Sequence, residues 1–468
     1  MSRQSTLPVL VAAALASACA GGSADGRRAE AMLDRGDFAG ARRTAEHGLE
    51  RAPRDPLLWQ VRMRALLGGG DARGAVALYA SWRDLRRDDD PAALRALARA
   101  TLWQALRAHA PSLQAAAVQA IERLELDDLA PQVAELVGSE DDLVAAAAAS
   151  ALLTAHEDAP RVLVDLLRSG DPAARALAVD GIGRKAGVHA RADLVPMLGD
   201  PDANVRRAAA AAVARFAEGD DLARLIELAR RDPSGPVRAQ VVRGLAGREI
   251  AGRVDLARQA AADPFLGARQ AAVDLLARTD EPAAAALLAE LAASSDLPVA
   301  LAAEAARLRA GAPPDQRTAV FERALADRAW TARAAALNAA YAAPRPLALA
   351  LAGRALVDRR AEVRLAAARL LLHMGQTERA SQELVAGLAS PDAMIRLDAA
   401  VDLYRLGDQR GLAVLERLAR SRSIEVRTAA VQAHASLPRV TPGLVAALAD
   451  PTPELRLAAA ERLLEVLD

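Results

Sequence analysis

The residue types that could carry out chemistry are few in this chain, and they are scattered. No histidine has a second His or Cys at metal-ligand spacing, and neither HExxH nor Gly-x-Ser-x-Gly occurs. Residues 181–187 superficially match a phosphate loop. They lack the full Walker pattern and follow no predicted strand, so we read them as a helix end. Residues 88–90, three aspartates, are expected to form a solvated turn. The sequence therefore predicts no catalytic residues, no metal and no cofactor.

Cys19 is the only cysteine, and it follows a segment typical of an export signal. Arg3 supplies a positive charge, and the apolar stretch at 7–16 is too short to span a bilayer. The end of this segment, Leu-Ala-Ser-Ala-Cys at 15–19, resembles a bacterial lipobox, although its Leu lies one residue further from the Cys than in that pattern. The resemblance implies a signal peptide at 1–18, lipid attachment at Cys19 and a flexible tether at 19–27. The alternative is an ordinary cleavage site with an incidental cysteine.

Composition points to helices packed through small side chains. The 468 residues are 52% apolar but only 2% aromatic, which favours close helix packing. Sixty basic residues balance sixty acidic ones, and this even balance argues against a nucleic-acid-binding protein.

One pattern returns about every 31 residues from position 111 to the C-terminus. Each copy has an Asp or Ser, a turn, an apolar residue, an Arg and then small apolar residues. Counted from the Arg, positions −1, +3, +4 and +7 are apolar and form one face of a helix. The arginines are Arg175, Arg206, Arg238, Arg269, Arg333, Arg364, Arg396, Arg427 and Arg456. Three further copies carry Gln114, Ala145 or Leu301 in that position.

Each unit therefore predicts a first helix, a turn with Asp or Ser, and a second helix with Arg. This pattern resembles the HEAT repeat, especially the short form related to bilin lyases, and it covers about twelve units over 107–468. The resemblance implies an all-α fold, an α-solenoid of stacked helical hairpins. It also implies a structural ladder between turn aspartates and helix arginines. We assign that ladder to Asp200, Arg206, Asp232, Arg238, Asp263, Arg269, Asp327, Arg333, Asp358 and Arg364. The weak copy at Leu301 interrupts the ladder, and we expect a bend or hinge there.

Residues 28–106 carry a second repeat, because Gly36-Asp37 and Gly70-Asp71 stand 34 residues apart. This region resembles tetratricopeptide repeats, in which a Gly-Asp turn joins two helices.

Function is expected where the copies differ, on the second helices. The variable +5 positions are mostly polar, and in the last third positions +1 and +8 become apolar. These candidate partner-binding residues are Asp180, Arg243, Asp274, Asn338, Arg369, Gln432 and Glu461, with Leu365, Leu372, Leu397, Tyr404, Leu457 and Leu464. The leucines have two interpretations: packing between repeats, or an exposed stripe that binds a partner.

The leading hypothesis is a non-enzymatic, lipid-anchored scaffold of the bacterial envelope that binds a protein partner. Ala20 after the acylated Cys implies, by the same resemblance, the outer membrane facing the periplasm. The alternatives are a cofactor-handling, lyase-like HEAT protein and a cytoplasmic nucleic-acid-binding HEAT protein. The second alternative requires a basic groove despite the balanced charge. We expect no nucleic acid and no small-molecule substrate.

Overall fold

The computed structural model describes residues 23–86, 88–312, 319–437 and 439–467. It is 74% helical, with 28 α-helices and no strand in this part of the chain. The predicted all-α solenoid class is thereby confirmed. No helix among these residues is both long and apolar enough to cross a membrane. Cys19 and the predicted signal lie outside the described residues.

The chain divides into two compact units. Unit 1 holds the described residues up to Ala151 and those from Leu412 onward, and unit 2 holds Leu152–Gly411. The helices of the first part of unit 1 are α1 (Ala24–Leu33), α2 (Phe38–Arg51), α3 (Pro56–Gly68), α4 (Ala72–Arg86), α5 (Pro91–Leu106), α6 (Pro111–Arg123), α7 (Ala130–Ala134) and α8 (Asp142–Ala151). The unit boundary falls within α25 (Gln409–Leu418), and unit 1 ends with α26 (Ile424–Ala435), α27 (Pro442–Ala447) and α28 (Pro453–Leu467).

Unit 2 consists of helical hairpins in which a first helix is followed by a second helix that carries the repeat Arg. Its helices are α9 (Ala159–Leu166), α10 (Pro172–Lys185), α11 (Arg191–Leu194), α12 (Ala203–Val213), α13 (Gly219–Arg231), α14 (Gly235–Leu245), α15 (Arg253–Ala261), α16 (Leu266–Leu276), α17 (Pro282–Ala292), α18 (Leu297–Arg309), α19 (Ala319–Leu325), α20 (Trp330–Ala339), α21 (Arg345–Ala355), α22 (Ala361–His373), α23 (Thr377–Gly387) and α24 (Ala393–Arg405).

Helix α12 illustrates how the repeat sequence specifies a second helix. Asp202 caps it by accepting hydrogen bonds from the backbone N–H groups of Asn204 and Val205. Val205, Ala209 and Val213, which occupy positions −1, +3 and +7, are fully buried. The predicted apolar face is therefore the face that packs.

Two Gly-Asp turns in unit 1 reproduce the 34-residue repeat. Gly36 and Gly70 have φ values of 77° and 83°, in the left-handed region that glycine adopts without strain. Asp37 accepts a hydrogen bond from the N–H of Gly40 at 2.8 Å, and Asp71 accepts one from Gly74 at 2.7 Å. The two copies therefore fold alike, because the same two residues set each turn.

Two features of the structure lie close to the domain limits predicted from the sequence, which remain predictions. Helix α1 begins at Ala24, inside the expected tether, because Ser23 caps it by accepting from the N–H of Gly26. The predicted division at residue 107 also differs from the compact units, since α28 packs against α5 within unit 1. Apolar residues at the end of the array are thus buried by the chain's own N-terminal helices.

Candidate partner-binding surface

The second helices of unit 2 are held by arginines that bridge consecutive repeats. Arg206 donates from Nε and Nη2 to the carboxylate of Asp232, at 2.7 and 2.9 Å. Its Nη1 donates to the backbone oxygen of Asp200, six residues earlier, at 2.9 Å. One guanidinium therefore joins its own turn to the turn of the next unit, in the two-pronged geometry that arginine and carboxylate share.

The same arrangement recurs in the neighbouring repeats. Arg238 donates to Asp263 at 2.6 and 2.7 Å, and Arg175 donates to Asp200 at 2.9 Å through two nitrogens. The bond from Arg238 lowers the pKa of Asp263, although burial opposes it, and Asp263 in turn raises the pKa of Arg238. Both partners are therefore charged at neutral pH.

The ladder departs from the expected residues at the weak copy. Arg269 Nε lies 2.6 Å from Asp296, one residue after the expected turn position at Ser295. Asp327 was assigned to the ladder but forms no ion pair within the described ranges, because Leu301 stands where its arginine would be. Its carboxylate instead accepts from the N–H of Ala329 at 2.7 Å.

Beyond the weak copy the ladder resumes and then changes partner. Arg333 donates to Asp358 at 2.6 and 2.9 Å. Arg364 donates to Glu383 at 2.7 Å, because the next turn carries Ser390 in place of Asp. Sequence reasoning missed Glu383, which lies on a first helix and outside the repeat register.

Five of the seven predicted polar positions lie on the surface, and Arg369 is half-buried. Asp180, Arg243, Asp274, Asn338 and Gln432 are exposed. Exposure alone does not assign them a partner. Glu461 differs from these, because it is half-buried and accepts a hydrogen bond from Arg123 at 2.7 Å.

The expected apolar stripe does not exist as an exposed surface. Leu365, Leu397, Leu457 and Leu464 are buried, and Leu372 and Tyr404 are half-buried. The burial of these four leucines agrees with the interpretation as inter-repeat packing. The physical reason is that these helices pack between neighbours on two sides, so that +1 and +8 face other helices.

A different group of residues forms a polar and aromatic surface on unit 2, which we name the Tyr341 patch. It consists of Tyr341, Arg369, His373, Asp398 and Asp402. The rings of Tyr341 and His373 are tilted by 45° with centroids 4.9 Å apart. Arg369 Nε donates to Asp402 at 2.5 Å, and its Nη2 lies 3.3 Å from Asp398. Tyr341 occupies position +8 of its copy, so the same register that selected Tyr404 could have identified it.

The charges within the patch hold its arginine in place. Burial lowers the pKa of Arg369, but the charges of Asp402 and Asp398 outweigh that effect and raise it. Burial also raises the pKa of Tyr341. Tyr341 nevertheless keeps 39% of its surface accessible, so an incoming partner can reach the ring.

No group of three or more His, Cys, Asp or Glu side chains in the described ranges is placed to hold a metal ion.

Comparison with known proteins identifies the repeat type. A family model described as HEAT repeats matches residues 159–246 and 222–309. No curated protein matches the chain.

Solved structures of low identity are also similar. Importin beta is 13% identical, with 97% of this chain and 72% of that chain covered and a TM-score of 0.37. The UNC-45 chaperone is 16% identical, with coverages of 97% and 68% and a TM-score of 0.34. Human deoxyhypusine hydroxylase is 19% identical, with coverages of 54% and 97% and a TM-score of 0.25. From the family match and the helical architecture, the chain contains HEAT repeats within an all-α solenoid.

Proposed function

We propose that this protein is a non-enzymatic scaffold that binds a protein partner through a surface formed by the C-terminal parts of the second helices of its HEAT repeats and the turns that follow them. The observation that carries the proposal is the Tyr341 patch. Tyrosine and arginine are enriched where binding energy is concentrated at protein interfaces. Here an exposed tyrosine and an arginine fixed by two carboxylates stand together on one surface.

The helix that precedes Tyr341 is held in place by an ion pair, which supports this role. Arg333, at the start of the helix before Tyr341, is tied to Asp358 by two hydrogen bonds. A side chain held on a rigid element loses less conformational entropy on binding than one on a mobile loop. HEAT solenoids generally bind protein partners, and a binding surface of this kind suits that use.

We also propose that the scaffold is tethered to the bacterial envelope by a lipid on Cys19, facing the periplasm from the outer membrane. The support is the lipobox-like sequence at 15–19 and the short apolar segment before it. More than one acyl chain gives stable anchoring, since each buried CH₂ contributes about 0.8 kcal/mol.

The binding surface is tested by site-specific photocrosslinking in the native envelope. p-Benzoylphenylalanine is placed at position 341 and, as a control, at position 330. Trp330 is an equally exposed aromatic at 38%, but it lies at the start of a second helix and contacts Arg360. We expect a discrete protein adduct from position 341 that is lost in the Arg369→Glu variant. Equal adducts from both positions, or none from position 341, would contradict the proposal.

The anchor is tested separately by metabolic labelling with a fatty-acid probe. The wild type should incorporate the probe, and Cys19→Ala should not. Equal labelling of the two proteins would remove the lipoprotein proposal and leave the scaffold proposal standing.

A further inference from the structure

Four arginines on consecutive second helices of unit 2 are exposed, and we name them the basic row: Arg207, Arg215, Arg243 and Arg278. They occupy positions +1, +9, +5 and +9 of their copies. Positions four residues apart follow one side of a helix, so Arg207 and Arg243 lie on the same side of α12 and α14, and Arg215 and Arg278 follow that line just beyond the ends of α12 and α16.

Small residues bring the helices beneath this row close together. A Cβ atom added to Gly183 would lie 2.5 Å from the Cβ of Ala212, and one added to Gly244 would lie 2.7 Å from that of Ala214. Such distances leave no room for a side chain, so α10, α12 and α14 approach closely. The guanidinium of Arg215 then reaches the adjacent helix, where a Cβ on Gly183 would be 3.3 Å from its Nη2.

The four arginines of the basic row differ in their contacts from nearby arginines that form hydrogen bonds within the protein. Arg248 donates to the backbone oxygens of Ala214 and Ala217 at 2.7 and 2.6 Å, which satisfies the end of α12. The four arginines of the row form no ion pair with a carboxylate in the described ranges. Arg243 makes one hydrogen bond, from Nε to the backbone oxygen of Ala239 at 3.2 Å. Their charge is therefore available to an external anion.

Carboxylates are interspersed along the same stripe. Asp180 and Asp274 are exposed at position +5, and Asp180 accepts a hydrogen bond from Arg184 at 2.8 Å. A nucleic acid carries a uniform negative charge and would be repelled at Asp274, which lies between the arginines of the row. Aromatic platforms for stacking bases are also missing from the described +1, +5 and +9 positions of these helices. A polypeptide with mixed side chains can place neutral residues opposite Asp274 and acidic ones opposite the arginines.

We infer that the basic row binds an acidic polypeptide segment of the partner. This inference rests on the proposed scaffold function and names the chemistry of its ligand. Neighbouring helix axes are about 8–10 Å apart, so the three helices extend over about 20 Å. An extended chain covers that distance in about six residues at about 3.3–3.6 Å each. Glutamate or aspartate side chains along that segment would pair with the guanidinium groups in two-pronged hydrogen bonds.

The test uses a fluorescein-labelled peptide, three copies of Glu-Gly-Asp-Ser, and fluorescence anisotropy with the full chain in detergent. We expect salt-sensitive binding, because the contacts are between exposed charges. The variant Arg207→Gln/Arg215→Gln/Arg243→Gln should bind about tenfold more weakly, a change equivalent to about 1.4 kcal/mol. The matched control is Arg224→Gln/Arg230→Gln/Arg231→Gln, which removes three exposed arginines from the first helix α13. It should change affinity by less than about twofold.

Three outcomes would overturn the inference. They are equal weakening by the two triple variants, tighter binding of a twelve-nucleotide oligo-dT than of the peptide, or no binding of the peptide at all. Circular dichroism establishes that each variant is folded. If the peptide fails to bind while crosslinks from position 341 persist, only the acidic-segment inference falls. If the peptide binds but the crosslinks are absent, the Tyr341 patch is excluded as the contact site.

Discussion

The repeats that contain Arg206 and Arg364 share one sequence pattern, but the two arginines form ion pairs with carboxylates at different positions of the repeat. Arg206 reaches a nearly inaccessible carboxylate, Asp232, whose side chain is 1% exposed. Arg364 meets Ser390 in the corresponding position and pairs instead with Glu383, whose side chain is 17% exposed. Both arginines keep the bond from Nη1 to the backbone oxygen of their own turn. The turn bond is thus intrinsic to the repeat, whereas the bridge to the next repeat depends on one residue.

Repeats of similar sequence therefore need not be equally stable. A buried carboxylate paired twice with arginine is costly to disrupt, because the remaining charge stays buried. A partly exposed pair contributes less, since water screens it.

Asp232→Ala should destabilise its repeat by about 4 kcal/mol, since it leaves the guanidinium of Arg206 buried without its carboxylate. The measurement is urea denaturation together with hydrogen exchange of α12–α14, because repeat arrays need not unfold in one step. Ser390→Ala is the control at the same repeat position and should cost less than about 1 kcal/mol. Equal costs for the two variants would show that the Asp bridge adds nothing.

A buried histidine should make the last repeats sensitive to acid. His434 is fully buried, its Nδ1 lies 2.8 Å from Thr441 Oγ1, and burial lowers its pKa to about 4. Between pH 6.5 and 4 the unfolded chain binds the proton and the folded chain does not. Stability should therefore fall by about 3 kcal/mol as the pH drops through this window.

The variant His434→Leu checks the cause, because leucine occupies this position in most other copies. It should reduce the difference in unfolding free energy between pH 7.5 and pH 5, whatever its effect at pH 7.5. His47→Gln alters an exposed histidine and is the matched control. An unchanged profile in His434→Leu would assign the acid sensitivity to other groups. Asp263 and Asp358 add to the acid sensitivity only below their ordinary pKa of 3.8, because hydrogen bonds from arginine lower their pKa values in the folded state.

Ser390→Asp should restore the usual bridge for Arg364 and stabilise its repeat by about 1 kcal/mol. Glu383→Gln should then cost less in the Ser390→Asp background than in the wild type, because the two carboxylates serve the same guanidinium. A double-mutant cycle measures this coupling. Independent effects of the two substitutions would mean that position 390 does not face Arg364.

The arginines of the basic row should matter least for stability. Arg243→Gln should change the unfolding free energy by less than about 0.5 kcal/mol, because the side chain is exposed and has no ion pair in the described part of the chain. Arg206→Gln, in the repeat before it, is the contrasting measurement and should be severely destabilising. A large loss of stability in Arg243→Gln would show that Arg243 stabilises the fold and does not belong to the binding surface.

The repeat pattern predicted the buried side of the helices well, because the spacing of its apolar residues follows the geometry of the α-helix. Val205, Ala209 and Val213 fall on the buried side as the spacing requires. Most ladder residues could also be named from the sequence, because Asp and Arg recur at fixed intervals. Glu383 and Asp296 could not be named from the sequence. Each pairs with a ladder arginine whose expected turn position carries Ser in place of Asp, and neither lies at that position of the repeat. Of the Tyr341 patch, only Arg369 was named from the sequence, because the patch is assembled from residues of three successive repeats.

The helices, their turns and the repeat register follow from the amino-acid sequence alone, because they depend on neighbouring residues and on the spacing of apolar residues. The sequence also determined the charge-balanced composition and the single cysteine at position 19. Which leucines are buried, and which arginines form no ion pair among the described residues, depends on the tertiary packing. Burial depends on what packs against a helix. In unit 1, the helix that carries Leu457 and Leu464 packs against α5, a neighbour more than 300 residues away in the chain.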